Sequence, residues 1–200
     1  MAVLTIYNYP HPVLRQLCPP VTQFNAELRK LAEDMMETMY ARQGSVGLAA
    51  PQVGQPVRLI VVDVTATTTR AEAKVLVNPV ILQASRNKLV REGCLSFPEY
   101  LANVKRATRV TVQAHDVEGQ LHTYEVKHLE AVCIQHEIDH LDGVLMIDRI
   151  SSIKTDWIKR QSSPNASPDT ESGTAGDKLD DGEDTESLSP QLSAPVVPVS

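Results

Sequence analysis

The chain has 200 residues, of which 42% are hydrophobic, 22% charged and only 4% aromatic. That is room for one aliphatic-cored domain with a tail, and it excludes both a multidomain assembly and disorder throughout. The net charge of -6 is carried by the last forty residues, which hold eight acids and one base and so leave residues 1–160 close to neutral. A near-neutral body lacks the basic stripe of a nucleic-acid site. No run approaches the roughly 20 apolar residues of a membrane span.

Residues 1–12, Met-Ala-Val-Leu-Thr-Ile-Tyr-Asn-Tyr-Pro-His-Pro, carry neither a basic segment nor a long apolar core, so a cytoplasmic address is expected. Three cysteines, Cys18, Cys94 and Cys133, fit a reducing compartment better than a disulfide framework.

From the N-terminus, Asn25 is placed to cap a helix. After it Leu28, Leu31, Ala32, Met35 and Met39 recur at helical spacing as far as Gly44, which predicts an amphipathic helix of about four turns. Strands are expected at 57–64, 74–82, 108–115 and 121–126, where β-branched residues concentrate, the last two forming a hairpin. A second helix is expected over 129–141, stopped by Asp142-Gly143. Helix, strands, then helix describes an α+β domain. The boundaries expected are 1–160 for that domain and 161–200 for an acidic, Ser/Pro-rich disordered tail.

The second helix contains Gln135-His136-Glu137-Ile138-Asp139-His140. Four residues of helix turn about 400°, so His136 and His140 project from one face and can grip one ion. An open metal site needs a third protein ligand. A metzincin would place a histidine where Met146 stands, and a thermolysin-like enzyme needs a later glutamate, yet those after Glu137 all lie in the tail. Cysteine remains. Cys18 in Leu-Cys-Pro-Pro-Val reads as structural, Cys133 shares the histidines' helix at a strained spacing, and Cys94 follows a glycine in Glu92-Gly93-Cys94-Leu95-Ser96.

Gly47-Leu48-Ala49-Ala50-Pro51-Gln52-Val53-Gly54, Glu92-Gly93-Cys94-Leu95-Ser96 and Gln135 to Leu141 follow one another in an order and spacing that resemble the three signature motifs of the peptide deformylases. The resemblance runs over about 4–150, including Pro10 to Arg15 and Glu37 to Tyr40, and leaves out the tail. It implies antiparallel and mixed sheets packed around a C-terminal metal-binding helix, with the amphipathic helix N-terminal to them. It implies removal of the formyl group from the N-terminal formylmethionine of new polypeptides. By resemblance, Cys94, His136 and His140 hold one divalent metal ion, Fe(II) first and Zn(II), Ni(II) or Co(II) as substitutes. Glu137 becomes the general acid/base, while the Gln52 amide and the Leu95 N–H become donors to the oxyanion. Gly47, Val46, Val90, Leu129, Val132 and Cys133 become the binding site for the substrate and its methionine side chain.

Each role suits the residue given it: the metal lowers the pKa of water toward 7 and Glu137 stands next to a ligand. The partners implied are N-formylmethionyl nascent peptides met by a monomer, with the tail either an acidic spacer or a docking segment for a basic partner such as the ribosome.

Two positions depart from the pattern. Ser45 replaces a glycine, and Leu101 stands where many bacterial members carry an arginine. Two rival readings are a peptide-binding module with a closed structural metal, Cys133 being the fourth ligand, and an endopeptidase of the His-Glu-x-x-His type.

Overall fold

Two helices of opposite character frame the molecule in a computed structural model, which describes residues 2–160. The segment 161–200, expected to be a disordered tail, lies outside the described residues. Helix α1, Ala26–Tyr40, starts where Asn25 accepts a hydrogen bond from the Leu28 N–H (3.0 Å). It buries Leu28, Ala32, Met35 and Met39, the stripe read from the sequence, and it stops at Tyr40, four residues short of Gly44.

Six strands follow, all paired antiparallel: β1 Gly47–Ala49, β2 Leu59–Val62, β3 Lys74–Gly93, β4 Tyr100–His115, β5 Leu121–Lys127 and, after the helices, β6 Trp157–Lys159. They run β1-β2-β3-β4-β5 across the sheet, with β6 on β4. The fold is α+β, as the order of elements implies.

The strands differ from expectation in length. β3 runs on to Gly93 and β4 begins at Tyr100, eight residues before the expected start at Thr108. Residues 82–89 are exposed on both sides of the ribbon, so Gln83-Ala84-Ser85-Arg86-Asn87-Lys88 has no buried face to write an alternation into the sequence. Two register shifts, after Val77 and after Ile81, also break the period of two.

Helix α2, His128–Leu141, is buried from Ala131 to Leu141 except at Gln135. Protein surrounds it although half of its fourteen residues, His128, Glu130, Gln135, His136, Glu137, Asp139 and His140, are polar or charged. Ala131, Ile134, Ile138 and Leu141 share a core with Ile60, Leu76, Val110 and Val112 of the sheet. Gln135 clips α2 to β4, accepting from the Ala107 N–H (3.1 Å) and donating to the Ala107 carbonyl (2.7 Å). Two short helices, α3 Met146–Arg149 and α4 Ile153–Asp156, lead the chain to β6. No helix among the described residues is long and apolar enough to cross a membrane.

Candidate metal centre

The end of β3 and the middle of α2 meet in the interior. Cys94, immediately after Gly93, brings its Sγ to 3.2 Å from His140 Nε2. The ligand atoms of Cys94, His136 and His140 all lie within 4.8 Å of one another, and all three residues are buried. The imidazoles stand edge to face, ring centres 5.1 Å apart, as two residues one helical turn apart must.

The two imidazoles are shifted in opposite directions. Burial would push the His136 imidazole down, but Cys94 and Glu92 outweigh burial and hold it well above its usual value. His140, whose Nδ1 is buried without a partner, is driven well below its usual value by burial, with the charges of His136 and Arg106 acting the same way. One thiol and two imidazoles also form a donor set suited to a soft or borderline divalent ion. The residues fit a metal on geometry and donor type.

Behind the three donors stands a layer of charged side chains, of which Glu92 and Asp139 lie inside the motifs and Arg106 and Arg149 outside them. His136 Nδ1 meets Glu92 Oε2 at 2.8 Å, leaving Nε2 to face Cys94. Glu92 in turn takes Arg106 in a fork, 2.6 Å from Nε and 3.1 Å from Nη2. Arg106 Nη1 reaches Asp139 Oδ2 at 2.6 Å, and Asp139 also receives Arg149 at 3.0 and 2.5 Å. A ligand histidine anchored by a carboxylate has its ring orientation fixed and its basicity raised.

Glu137 is 5% exposed. Burial pushes its carboxyl up to about 7, and its Oε2 is buried with no hydrogen-bond partner. Gln52 is pinned by its Oε1, which accepts the Ala49 N–H (2.9 Å). Its Nε2 is thereby aimed at Ser96 Oγ (3.2 Å) and Cys94 Sγ (3.5 Å). Leu95 is half-buried and follows Cys94 directly.

Val132 and Cys133 are buried on α2, and Leu129, one turn earlier on the same helix face, is exposed at the rim. Val46 and Val90 are half-buried. Cys133 Sγ donates to the Val46 carbonyl (3.5 Å) and stands outside the converging donor set, which removes the fourth ligand that a closed structural site would need.

Ser45 does not take a positive φ; its hydroxyl donates to the Gly47 carbonyl (3.2 Å), so the substitution is absorbed without backbone strain. Gly47 has no such latitude. A Cβ there would lie 2.5 Å from Cys133 Sγ and 2.6 Å from Glu137 Oε1. Gly47→Ala should therefore displace the Glu137 carboxylate and lower kcat by about a hundredfold, measured against an unchanged circular dichroism spectrum.

The family model described as polypeptide deformylase matches residues 3–156. The chain belongs to the polypeptide deformylase family. A peptide deformylase of Rhizobium meliloti is 46% identical over 162 residues, covering 80% of this chain and 92% of the relative. One from Alkalilimnicola ehrlichii is 46% identical over 161 residues, covering 80% and 89%. Among solved structures, the peptide deformylase of Thermotoga maritima aligns with a TM-score of 0.71 at 40% identity, covering 76% of this chain and all of that one. That of Legionella pneumophila aligns with a TM-score of 0.72 at 42% identity, covering 76% and 89%. This deformylase is thus a metal-dependent hydrolase that takes the formyl group from the N-terminal methionine of new polypeptides.

Proposed function

We propose that residues 1–160 form the catalytic domain, in which Cys94, His136 and His140 hold one divalent ion, Fe(II), with Zn(II), Ni(II) and Co(II) able to replace it. The observation that carries this reading is the convergence of those three buried donors beside an unpartnered oxygen of Glu137. Bound there, the ion supplies Lewis acidity, lowering the pKa of water toward 7 and polarising the formyl carbonyl. Glu137 takes the proton of the attacking water and hands it to the departing amine nitrogen, so that formamide and water become formate and a free amine. The Gln52 Nε2 and the Leu95 N–H donate to the oxyanion that forms on the formyl carbon. Val46, Gly47, Val90, Leu129, Val132 and Cys133 seat the methionine chain, the two half-buried valines and exposed Leu129 forming the mouth.

The domain works as a cytoplasmic monomer on nascent chains near the ribosome, and segment 161–200 is its acidic appendage.

Full-length protein prepared without oxygen and loaded with Fe(II), Co(II) or Ni(II) should release formate from formyl-Met-Ala-Ser. Chelation should abolish release, and one equivalent of metal per chain should restore it. Fully occupied protein that yields no formate would refute the reading.

A further inference from the structure

The described residues end at Arg160, whose side chain crosses β4 to reach β3 beside the metal ligands. Its N–H donates to the Glu99 carbonyl (2.8 Å), extending the β6–β4 register of Tyr100 with Lys159 and Leu101 with Ile158. On the other side of β4, Leu101 stands opposite Gly93. Residues opposite each other, and residues two apart, share a sheet face. Gly93, Leu101, Ile158 and Arg160 therefore lie on one face, whereas Glu92 points to the other, toward His136.

A Cβ on Gly93 would lie 2.6 Å from a guanidinium nitrogen of Arg160 and 3.3 Å from Leu101 Cδ2. The glycine lets the guanidinium rest on backbone one residue from Cys94.

Among the described residues Arg160 meets no Asp or Glu, as is also true of Arg42, Arg70, Arg86, Arg91 and Arg109, but it differs from these in having an Nε that is buried without an acceptor. A buried donor left unsatisfied is destabilising, which points to an acceptor brought by a ligand.

The approach of a peptide says which part of the ligand arrives there. β2 leaves β3 at Val77, so from there to Gly93 the strand pairs with β4 alone. Its open edge ends at Cys94. An extended peptide added to that edge, with its formyl group at the metal site, turns its methionine side chain toward the Glu92 and Val90 side. The side chain of the next residue then emerges on the opposite side, with Gly93 and Arg160.

We propose that Arg160 is a specificity-determining residue that reads the position after formylmethionine and favours a carboxylate there. The proposal rests on the deformylation site argued above. It also accounts for Leu101, the position where the sequence pattern leads one to expect arginine: the guanidinium is delivered to the same patch from β6.

The test uses the full-length, Ni(II)-loaded chain and an isosteric pair, formyl-Met-Asp-Ser amide and formyl-Met-Asn-Ser amide. The Asp peptide should have a kcat/KM about three- to fivefold higher, expressed in KM, the range of a half-exposed ion pair. The difference should shrink as salt is added. Arg160→Gln should erase it, and Arg160→Glu should shift preference toward formyl-Met-Lys-Ser amide. Equal kcat/KM for Asp and Asn in the unaltered chain, or a preference that survives Arg160→Gln, overturns the proposal, and the first of these needs no variant to fold. Absence of turnover on either peptide would fall on the deformylation reading instead.

Discussion

Glu137→Gln should retain one metal ion per chain and lose between about a hundred- and ten-thousandfold in kcat on a formyl-Met peptide, the range that a positioned acid/base supplies. Glutamine matches glutamate in volume, so the contacts around Gly47 and Cys133 persist. Both oxygens of the native carboxylate lie in the pocket: Oε1 is 2.6 Å from the place a Cβ of Gly47 would take, and Oε2 is buried and unpartnered.

Burial pushes that carboxyl up to about 7, into the range where it can both accept and return a proton at neutral pH. A divalent cation beside it favours the ionised form and draws the value down again, so the loaded protein should remain active below pH 7. Metal analysis and formate release on the same sample separate loss of the base from loss of the ion. A variant that keeps its metal and at least a tenth of its turnover would show that another group moves the proton. Cys94→Ser should behave differently, losing metal and turnover together.

The candidate metal site was legible because its donors are written locally: the histidines occupy one turn of a helix that the sequence delimits within one residue, and Cys94 sits in a short motif. Helix α1 was legible for a related reason, since its buried stripe faces a core on one side only.

The polar stretch 82–89 of β3 was not, because a strand exposed on both faces leaves no alternation to read. The first half of β4 was not either, because its buried face, Ala102, Val104 and Arg106, carries a charged residue where an apolar one would mark the period. Nor were Arg106 and Arg149. Arg106 reaches Asp139 from β4 across 33 residues and Arg149 from α3 across 10, and neither arginine carries a local feature that reveals the buried acid it pairs with. Glu92 stands in the same motif as Cys94, but nothing local gives it a role. Its hold on His136 spans 44 residues and exists only once β3 lies beside α2. What the sequence hides is the support behind the ligands.

Removing that support by Arg106→Met should destabilise the protein by about 3–5 kcal/mol, because a buried ion pair broken on one side leaves an uncompensated charge. Arg106 is 4% exposed and Glu92 6%. Asp139 would still have Arg149, whereas Glu92 would keep only His136, so the damage falls on the carboxylate that orients a ligand.

Burial alone would raise the Glu92 carboxyl, but the hydrogen bond and charge of His136, followed by those of Arg106, overcome it and hold it at about 2. A depressed carboxyl stabilises the fold above its unfolded value of 4.5 and loses that contribution as pH falls toward 2. With Arg106 gone the folded value rises, so the acid unfolding midpoint should move to higher pH in the variant. Metal affinity should weaken by about ten- to a hundredfold through the freed His136 ring. Denaturant melts of metal-free protein at pH 7 and pH 4 report the stability change, and competition with a chelator reports the affinity. Crossing Arg106→Met with Glu92→Gln decides between pairing and packing: if the arginine acts through its charge on Glu92, the double variant should recover part of the stability lost in the single one, and strict additivity would assign Arg106 to packing alone.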